Sequence, residues 1–234
     1  MKAISSIFQH LSDVVWPSDC LYCGRSEQVN VGGVCDTCWE SLVPPGSFTT
    51  QKKLDRLWIC FKYDDRHRTL VHYLKFRHHK NPDDSLASKM NERLDTPSFN
   101  PEKSLLVPVL DHPSRRRERG YNPAGLLAQK LGDVSGSDYR PDYVIRVHHG
   151  PHQSVLTTEE REKTMRGSFS IRLCEDEATT LVLFDDVTRT GNTFNRFARE
   201  ARNAGWKRVE AICMYARAVN PGWPDLACKS GFGR

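Results

Sequence analysis

The sequence contains no long hydrophobic run and only a small excess of positive charge. None of its apolar segments reaches the roughly 18 residues that a membrane-spanning helix needs. Residues 1–20 do not match a secretory signal, because polar residues interrupt the apolar positions and no small-residue cleavage site follows. The formal net charge of +5 permits anionic partners but does not by itself indicate a nucleic-acid-binding protein. These features predict a cytoplasmic globular protein with no integral membrane segment.

Two common phosphate-binding loops are also missing. The chain has neither the G-x-x-x-x-G-K-S/T loop of P-loop nucleotidases nor the G-x-G-x-x-G loop of dinucleotide-binding enzymes. The enzyme classes that depend on these loops are therefore excluded.

Apolar residues at helical spacing between positions 4 and 15 predict a short N-terminal helix. This helix either packs on the body of the protein or lies on a membrane surface.

Eight cysteines are present, and four of them form two Cys-x-x-Cys pairs with eleven residues between the pairs. Each pair directs two sulfurs towards one ion, and two pairs complete a tetrahedral thiolate shell. Four protein ligands leave no open coordination position, so we predict a structural Zn²⁺ bound by Cys20, Cys23, Cys35 and Cys38. A redox dithiol and unligated thiols are the alternatives. Because so small a segment has little core, metal binding should supply much of its folding free energy.

The segment "VPPGSF" (43–48) predicts a break in regular structure between a cysteine module and the rest of the chain. We therefore expect a module at 1–46, a main domain at 47–220 and a tail at 221–234. Strand-like and helix-like segments alternate along the main domain, which predicts an α/β fold with a mostly parallel sheet flanked by helices. The predicted strands are 57–63, 104–110, 143–147, 180–186 and 208–216. The predicted helices are 68–76, 85–94, 123–131 (with Asn122 as its N-cap), 194–204 and a short one opened by Thr157.

Two adjacent carboxylates follow the most apolar of these strands, in "LVLFDDVTRTGNT" (181–193). In open parallel sheets, ligands bind beyond the carboxyl ends of the strands, where Asp185 and Asp186 are expected. The turn behind them leads into a helix whose first amides and positive dipole end favour phosphate. Gly191 lets the backbone close around an anion, and Thr190 and Thr193 add hydroxyl donors. The stretch thus predicts a ribose 5-phosphate site, with the acids on the sugar hydroxyls and Mg²⁺ nearby. A solvated turn or a helix cap is the alternative.

A basic stretch, "DHPSRRRERGYN" (111–122), follows the predicted strand 104–110. Arginine side chains suit the oxygens of a diphosphate, which needs a second anion site. Among these arginines we prefer Arg119, because Gly120 beside it permits a close approach of the backbone. The alternative is a solvated basic loop.

The motif "FDDVTRTGNT" (184–193) resembles the diphosphate-sugar signature of type I phosphoribosyltransferases, and a wider pattern is similar to the ComF family. Order and spacing agree from about residue 14 to residue 217. The wider pattern comprises the four-cysteine segment, "YLKF" (73–76), "VPVLDHPSRRRERGYNPAGLLAQKL" (107–131), "IR" (145–146), Gln153 with Leu156, and "REKTMRGSF" (161–169).

The resemblance implies the type I phosphoribosyltransferase fold and binding of phosphoribosyl pyrophosphate (PRPP). It places Asp185 and Asp186 on the ribose as the catalytic acids. It adds Lys75 and Arg161 to Arg119 as ligands of PRPP. The remaining PRPP-binding residues that it implies are Val187, Thr188, Arg189, Thr190, Gly191, Asn192 and Thr193.

The resemblance also implies a role in natural competence and transformation. Family members handle incoming single-stranded DNA at the inner face of the inner membrane, with a helicase-like DNA-uptake ATPase as partner. If the chain is an enzyme, its chemistry is a Mg²⁺-dependent transfer of the phosphoribosyl group with release of pyrophosphate; the sequence does not reveal the acceptor. The alternative is a non-catalytic adaptor for single-stranded DNA with a vestigial PRPP site. A housekeeping salvage or amidotransferase-like enzyme is a third, weaker reading, because no purine-recognition signature is visible.

Overall fold

The computed structural model describes residues 19–26, 29, 33–41, 46–49, 53–62, 70–71, 84–94, 99–110, 117–146, 169–176, 179–188 and 191–216. The predicted N-terminal helix, the helix opened by Thr157 and the tail at 221–234 lie outside these residues. Of the predicted helix 68–76, only Leu70 and Val71 are described, and both are helical.

Eight strands are described, and six of them form one sheet. They are β1 (Gly46–Thr49), β2 (Arg56–Lys62), β3 (Ser104–Pro108), β4 (Asp138–Tyr139), β5 (Val144–Arg146), β6 (Phe169–Ile171), β7 (Thr180–Thr188) and β8 (Val209–Ala216). The sheet has the order β1-β2-β8-β7-β3-β4, and all its neighbours are parallel except β1 and β2. Strands β5 and β6 form a separate antiparallel pair.

Helices flank this sheet, so the predicted α/β class with a mostly parallel sheet is confirmed. The α-helices are α1 (Asp36–Glu40), α2 (Asp84–Asn91), α3 (Pro123–Ser135) and α4 (Asn192–Asn203), and two short 3₁₀ helices occupy Pro101–Lys103 and Pro141–Tyr143. Within the described ranges, no helix is both long enough and apolar enough to cross a membrane.

The sheet is covered on both faces, and β7 shows this directly. Val182 and Phe184 belong to one apolar core, with residues of α2, α3 and the four-cysteine segment. Leu181 and Leu183 belong to a second core, with residues of α4, β5 and β6. A strand buried on both faces needs apolar side chains at every position, which explains the unbroken apolar run that starts β7.

Three sequence predictions need correction in their details. Residues Gly46 to Phe48 are not a break, because they form most of β1 and pair with β2 as an edge strand. The strand predicted at 180–186 continues to Thr188, because β8 runs alongside it to Ala216. The strand predicted at 143–147 is only three residues long and pairs with β6 instead of joining the main sheet.

A buried carboxylate near the amino end of β8 gives a first prediction. Glu210 is 2% exposed and accepts hydrogen bonds from Trp58 Nε1 at 3.2 Å and from Arg208 Nε at 3.1 Å. The change Glu210→Ala removes the acceptor of both donors, so we expect the free energy of unfolding to fall by about 2–3 kcal/mol in urea denaturation. The exposed Glu175, changed to alanine, is the control. Equal stability of the two variants would contradict the prediction.

Candidate functional site

The two adjacent carboxylates lie near the carboxyl end of β7 and are half-buried. The N–H of Asp186 donates to Asp185 Oδ1 at 2.9 Å, and the N–H of Val187 donates to Asp186 Oδ1 at 2.8 Å. Strand β3 ends at Pro108, opposite Phe184, so both acids lie beyond the end of this neighbouring strand. This is the edge of a parallel sheet at which ligands bind.

A buried thiol lies beside the acid pair. Cys213 is opposite Asp185 on β8, and its Sγ donates to the carbonyl of Tyr215 at 2.9 Å. Burial raises the pKa of the Cys213 thiol well above its usual value, and the charges of Asp185 and Asp186 raise it further. The thiol therefore stays protonated at neutral pH and adds no charge to the acids. Nothing in the sequence around Cys213 reveals that it is opposite Asp185.

Helix α4 begins just behind the acid pair. Gly191 is its N-cap, with φ of 67°, and its N–H donates to Thr188 Oγ1 at 3.2 Å. Asn195 N donates to Gly191 O at 2.9 Å, the bond that a helix makes to its N-cap carbonyl. In general, the amides of the first turn of a helix have no carbonyl partner within the helix. The side chains of Asn192 and Thr193 are exposed at this end. The helix packs on the sheet through an apolar face, because Phe194, Phe197, Ala198 and Ala201 are buried.

The left-handed conformation of Gly191 gives a second prediction. A side chain at this φ costs about 1–2 kcal/mol, so we expect the free energy of unfolding of Gly191→Ala to be lower by that amount in urea denaturation. Gly191→Asn is the matched variant, because asparagine tolerates this conformation better and should lose less stability. If both substitutions leave the stability unchanged, the backbone at the start of α4 does not require a positive φ.

The end of the basic stretch lies at the same edge of the sheet. The side-chain amide of Asn122 donates to the carbonyl of Val109, just past β3, at 3.3 Å. The N–H of Val109 in turn donates to Phe184 O at 2.8 Å, immediately before the acid pair. Arg119 is half-buried and precedes Gly120, which has φ of 77°. Asn122 occupies the N-cap position of α3 as predicted, but its side chain makes no capping bond, because it is used on Val109.

The described part of the chain therefore includes most of the predicted PRPP-binding residues, and it places them near the carboxyl edge of β7 and β3. These are Asp185, Asp186, Val187, Thr188, Gly191, Asn192, Thr193 and Arg119. Four further predicted residues lie outside the described ranges: Lys75, Arg161, Arg189 and Thr190.

The four predicted metal ligands form one cluster. The sulfurs of Cys20, Cys23, Cys35 and Cys38 all lie within 4.8 Å of one another, and those of Cys23 and Cys35 are 3.8 Å apart. A tetrahedral ion with metal–sulfur bonds of about 2.3 Å needs sulfurs about 3.8 Å apart. The cluster could therefore hold a metal ion with little rearrangement.

Backbone amides in this cluster favour the thiolate form of Cys20. Burial alone would raise the pKa of the Cys20 thiol, but hydrogen bonds from the amides of Cys35, Cys23 and Tyr22 lower it to about 6. Two of these amides, those of Cys35 and Tyr22, lie 3.3 and 3.4 Å from the Cys20 sulfur. A thiolate that accepts amide hydrogen bonds is the form in which cysteine binds a metal.

A cavity of about 370 Å³ lies at the opposite edge of the sheet, at the amino ends of β2 and β8. Its lining is charged and contains Asp55, Arg56, Lys207, Arg208 and Glu210. Asp55 Oδ2 accepts from Arg202 and from the N–H of Val209, both at 2.7 Å, and Glu210 is buried beneath Arg208. These contacts hold the starts of the strands together. Because the cavity lies at the amino ends of the strands, it is separate from the acid pair near the carboxyl end of β7.

Comparison with known proteins finds sequence relatives that are named for competence and for DNA utilization. The chain is similar to Competence protein F of Haemophilus influenzae, with 27% identity over 204 residues that cover 81% of this chain and 82% of that protein. It is also 27% identical over 150 residues to the DNA utilization protein YhgH of Salmonella typhimurium, which covers 62% of this chain and 65% of that protein. The corresponding Escherichia coli (strain K12) protein is 25% identical over the same shares.

Two further comparisons complete these findings. No family model matches the chain. A solved structure, that of the allosteric regulatory enzyme of purine biosynthesis, aligns with a TM-score of 0.39 and 17% identity over 61% of this chain and 29% of that one. Competence protein F carries the name of the family that the motifs resemble. The chain is thus a relative of Competence protein F and of the DNA utilization proteins, and its predicted resemblance to the ComF family is confirmed.

Proposed function

We propose that this protein binds PRPP at the carboxyl edge of β7 and acts in the handling of incoming single-stranded DNA during natural transformation. One observation carries the proposal: two adjacent, half-buried carboxylates lead within five residues into a helix that starts at a left-handed glycine. The relatives named for competence and for DNA utilization support the biological part.

The arrangement of the site suggests how PRPP is held. The first turn of α4 takes the 5-phosphate, because its amides and the positive end of the helix dipole favour an anion. Asp185 and Asp186 accept hydrogen bonds from the ribose hydroxyls and, being hard oxygen ligands, also suit Mg²⁺. Arg119 takes the diphosphate, and the family resemblance adds Lys75 and Arg161 to it.

The chemistry that such a site supports is a displacement at the anomeric carbon of the ribose. An acceptor forms a bond to this carbon while the bond to the diphosphate oxygen breaks, and pyrophosphate leaves with the bonding electrons. Mg²⁺, when bound, stabilises the charge of the leaving diphosphate. Arg119 contributes in the same way, because positive groups fixed around developing charge lower the barrier of the reaction.

The decisive experiment separates binding from catalysis. Isothermal titration calorimetry with PRPP and Mg²⁺ tests the binding site. Release of pyrophosphate, followed with single-stranded DNA, nucleobases and amines as acceptors, tests transfer. Heat of binding with pyrophosphate release supports a transferase, and heat without release supports a PRPP-binding protein that does not turn over. The absence of any binding heat would contradict the proposal.

A DNA-binding adaptor is the second candidate, favoured by the names of the relatives and by the formal net charge of +5. Contacts to phosphates release counterions, so DNA affinity should fall steeply as salt rises. Fluorescence anisotropy with a labelled single strand at several salt concentrations measures this. Binding that is unchanged between low and high salt, or absent, would exclude the adaptor and leave the PRPP site untouched.

For the four-cysteine cluster we propose a structural Zn²⁺ bound by Cys20, Cys23, Cys35 and Cys38. Four thiolates with tetrahedral spacing fit this ion and leave no position for a substrate. Metal analysis of the purified protein should give one zinc per chain.

A further inference from the structure

The four-cysteine segment packs on the body of the protein at the edge that carries the acid pair. Its buried residues share one apolar core with residues of β2, β7 and β8. Tyr22, which lies between Cys20 and Cys23, has its hydroxyl 2.8 Å from that of Tyr215 near the end of β8. The Trp39 ring lies 5.5 Å from the Phe61 ring near the end of β2. The predicted metal site is therefore attached to two central strands of the sheet.

These contacts reach a row of side chains that crosses the sheet beside the acids. Phe61, Tyr215 and Val187 are partners in the registers of β2, β8 and β7, and the Phe61 and Tyr215 rings are 5.7 Å apart. Val187 directly follows Asp186 and packs on the same core as Tyr22. Since side chains alternate along a strand, Asp186 projects on the same face as Val182 and Phe184, and this face carries the core that contains Tyr215 and packs against Tyr22.

We propose that Tyr22 is a positioning residue that couples the metal cluster to the ligand site at Asp185 and Asp186. The metal holds the Cys20–Cys23 turn, the turn holds the Tyr22 hydroxyl, and the bond to Tyr215 fixes the end of β8 against β7. The identity of the ligand rests on the function proposed above. The coupling itself rests on the contacts between Tyr22, Tyr215 and Val187.

Coupling of this kind must be reciprocal. If the metal-loaded segment makes the acid pair bind its ligand more tightly, the ligand must make the segment hold its metal more tightly by the same factor. A contact that merely stabilises the fold would change the melting temperature without producing this reciprocity. The two effects can therefore be distinguished by measurement.

The first test uses Tyr22→Phe, which removes the hydroxyl and keeps the ring. In calorimetry of the metal-loaded protein with PRPP and Mg²⁺, we expect the affinity to fall roughly three- to tenfold, the effect of one hydrogen bond. Tyr139→Phe is the matched control, because Tyr139 packs against the same core from β4, at the far edge of the sheet. Its affinity should equal that of the wild type.

The second test measures metal retention. Saturating PRPP should raise, by a similar factor, the concentration of the chelator 4-(2-pyridylazo)resorcinol that removes half of the metal from the wild type. This shift should disappear in Tyr22→Phe. The same PRPP concentration with Asp186→Asn corrects for metal taken up by PRPP itself. If Tyr22→Phe is purified without metal, Tyr215→Phe removes the same hydrogen bond from the side of the strand.

The outcomes separate the two proposals. Weaker PRPP binding together with loss of the metal shift supports the coupling. Wild-type affinity in both metal-loaded tyrosine variants overturns the coupling and leaves PRPP binding intact. A wild-type protein that does not bind PRPP overturns the proposed function, and the coupling with it.

Discussion

Replacing Asp186 with asparagine is expected to reduce the affinity for PRPP with Mg²⁺ by roughly 10- to 100-fold, because hydrogen bonds to a charged group contribute about 1.5–3 kcal/mol. The amide keeps the size of the carboxylate and one carbonyl oxygen. Its Oδ1 can therefore still accept the 2.8 Å hydrogen bond from the N–H of Val187. The change should remove charge from the site without removing the local structure. Isothermal titration calorimetry of the two proteins measures the difference.

The control for this prediction is Asp133→Asn, which makes the same chemical change at an exposed position of α3. This variant should bind PRPP as the wild type does, and both variants should melt within a few degrees of it. Equal binding heats for wild type and Asp186→Asn would remove the acid pair from the ligand site. Asp185→Asn tests the same site with a second variant. Its Oδ1 can likewise keep the hydrogen bond that Asp185 Oδ1 accepts from the N–H of Asp186.

Removing the metal, or replacing Cys35 with serine, is expected to cause the largest loss of stability. The cysteine cluster lies in the same apolar core as Trp39, Phe61 and Tyr215, so its disorder would expose part of the main domain. We expect the free energy of unfolding to fall by about 3–5 kcal/mol, which corresponds to a melting temperature lower by roughly 6–20 °C for a chain of this size. Differential scanning calorimetry before and after chelation measures the effect.

The pH dependence of metal loss follows from the thiols. Burial raises the pKa of Cys35 and of Cys38, so both take up protons when the metal leaves. Protons therefore compete with the metal, and chelation should become easier as the pH falls. Cys174→Ser is the control for Cys35→Ser, because this half-buried thiol lies outside the cluster and donates to the carbonyl of Asp176. Identical melting of the metal-loaded and chelated proteins would show that the cluster does not support the fold.

Local patterns were sufficient to predict the class of fold and the main candidate residues. The unbroken apolar run from Leu181 to Phe184 predicted a central strand, because a strand covered on both faces has no polar side. The Cys-x-x-Cys spacing predicted the cysteine cluster, because each pair brings two sulfurs to one point within a short turn. In both cases the information lies within a few neighbouring residues.

The extent of two strands could not be predicted from these local patterns. Strand β7 continues through the acids to Thr188, although charged residues usually end an apolar strand, because its backbone remains paired with β8. Gly46 to Phe48 form an edge strand directly after two prolines, because β2 offers an antiparallel partner there. Pairing with another strand decided both outcomes.

By itself, the sequence determined the α/β class, the four cysteines that could hold a metal ion and the acid pair followed by the start of a helix. The tertiary structure alone decided that Cys213 lies beside those acids and that Tyr22 contacts Tyr215, 193 residues further along the chain. The reason is physical. Periodicity and ligand spacing depend on neighbours within one turn or strand, whereas strand order and register are set by how apolar surfaces from the whole chain are buried together.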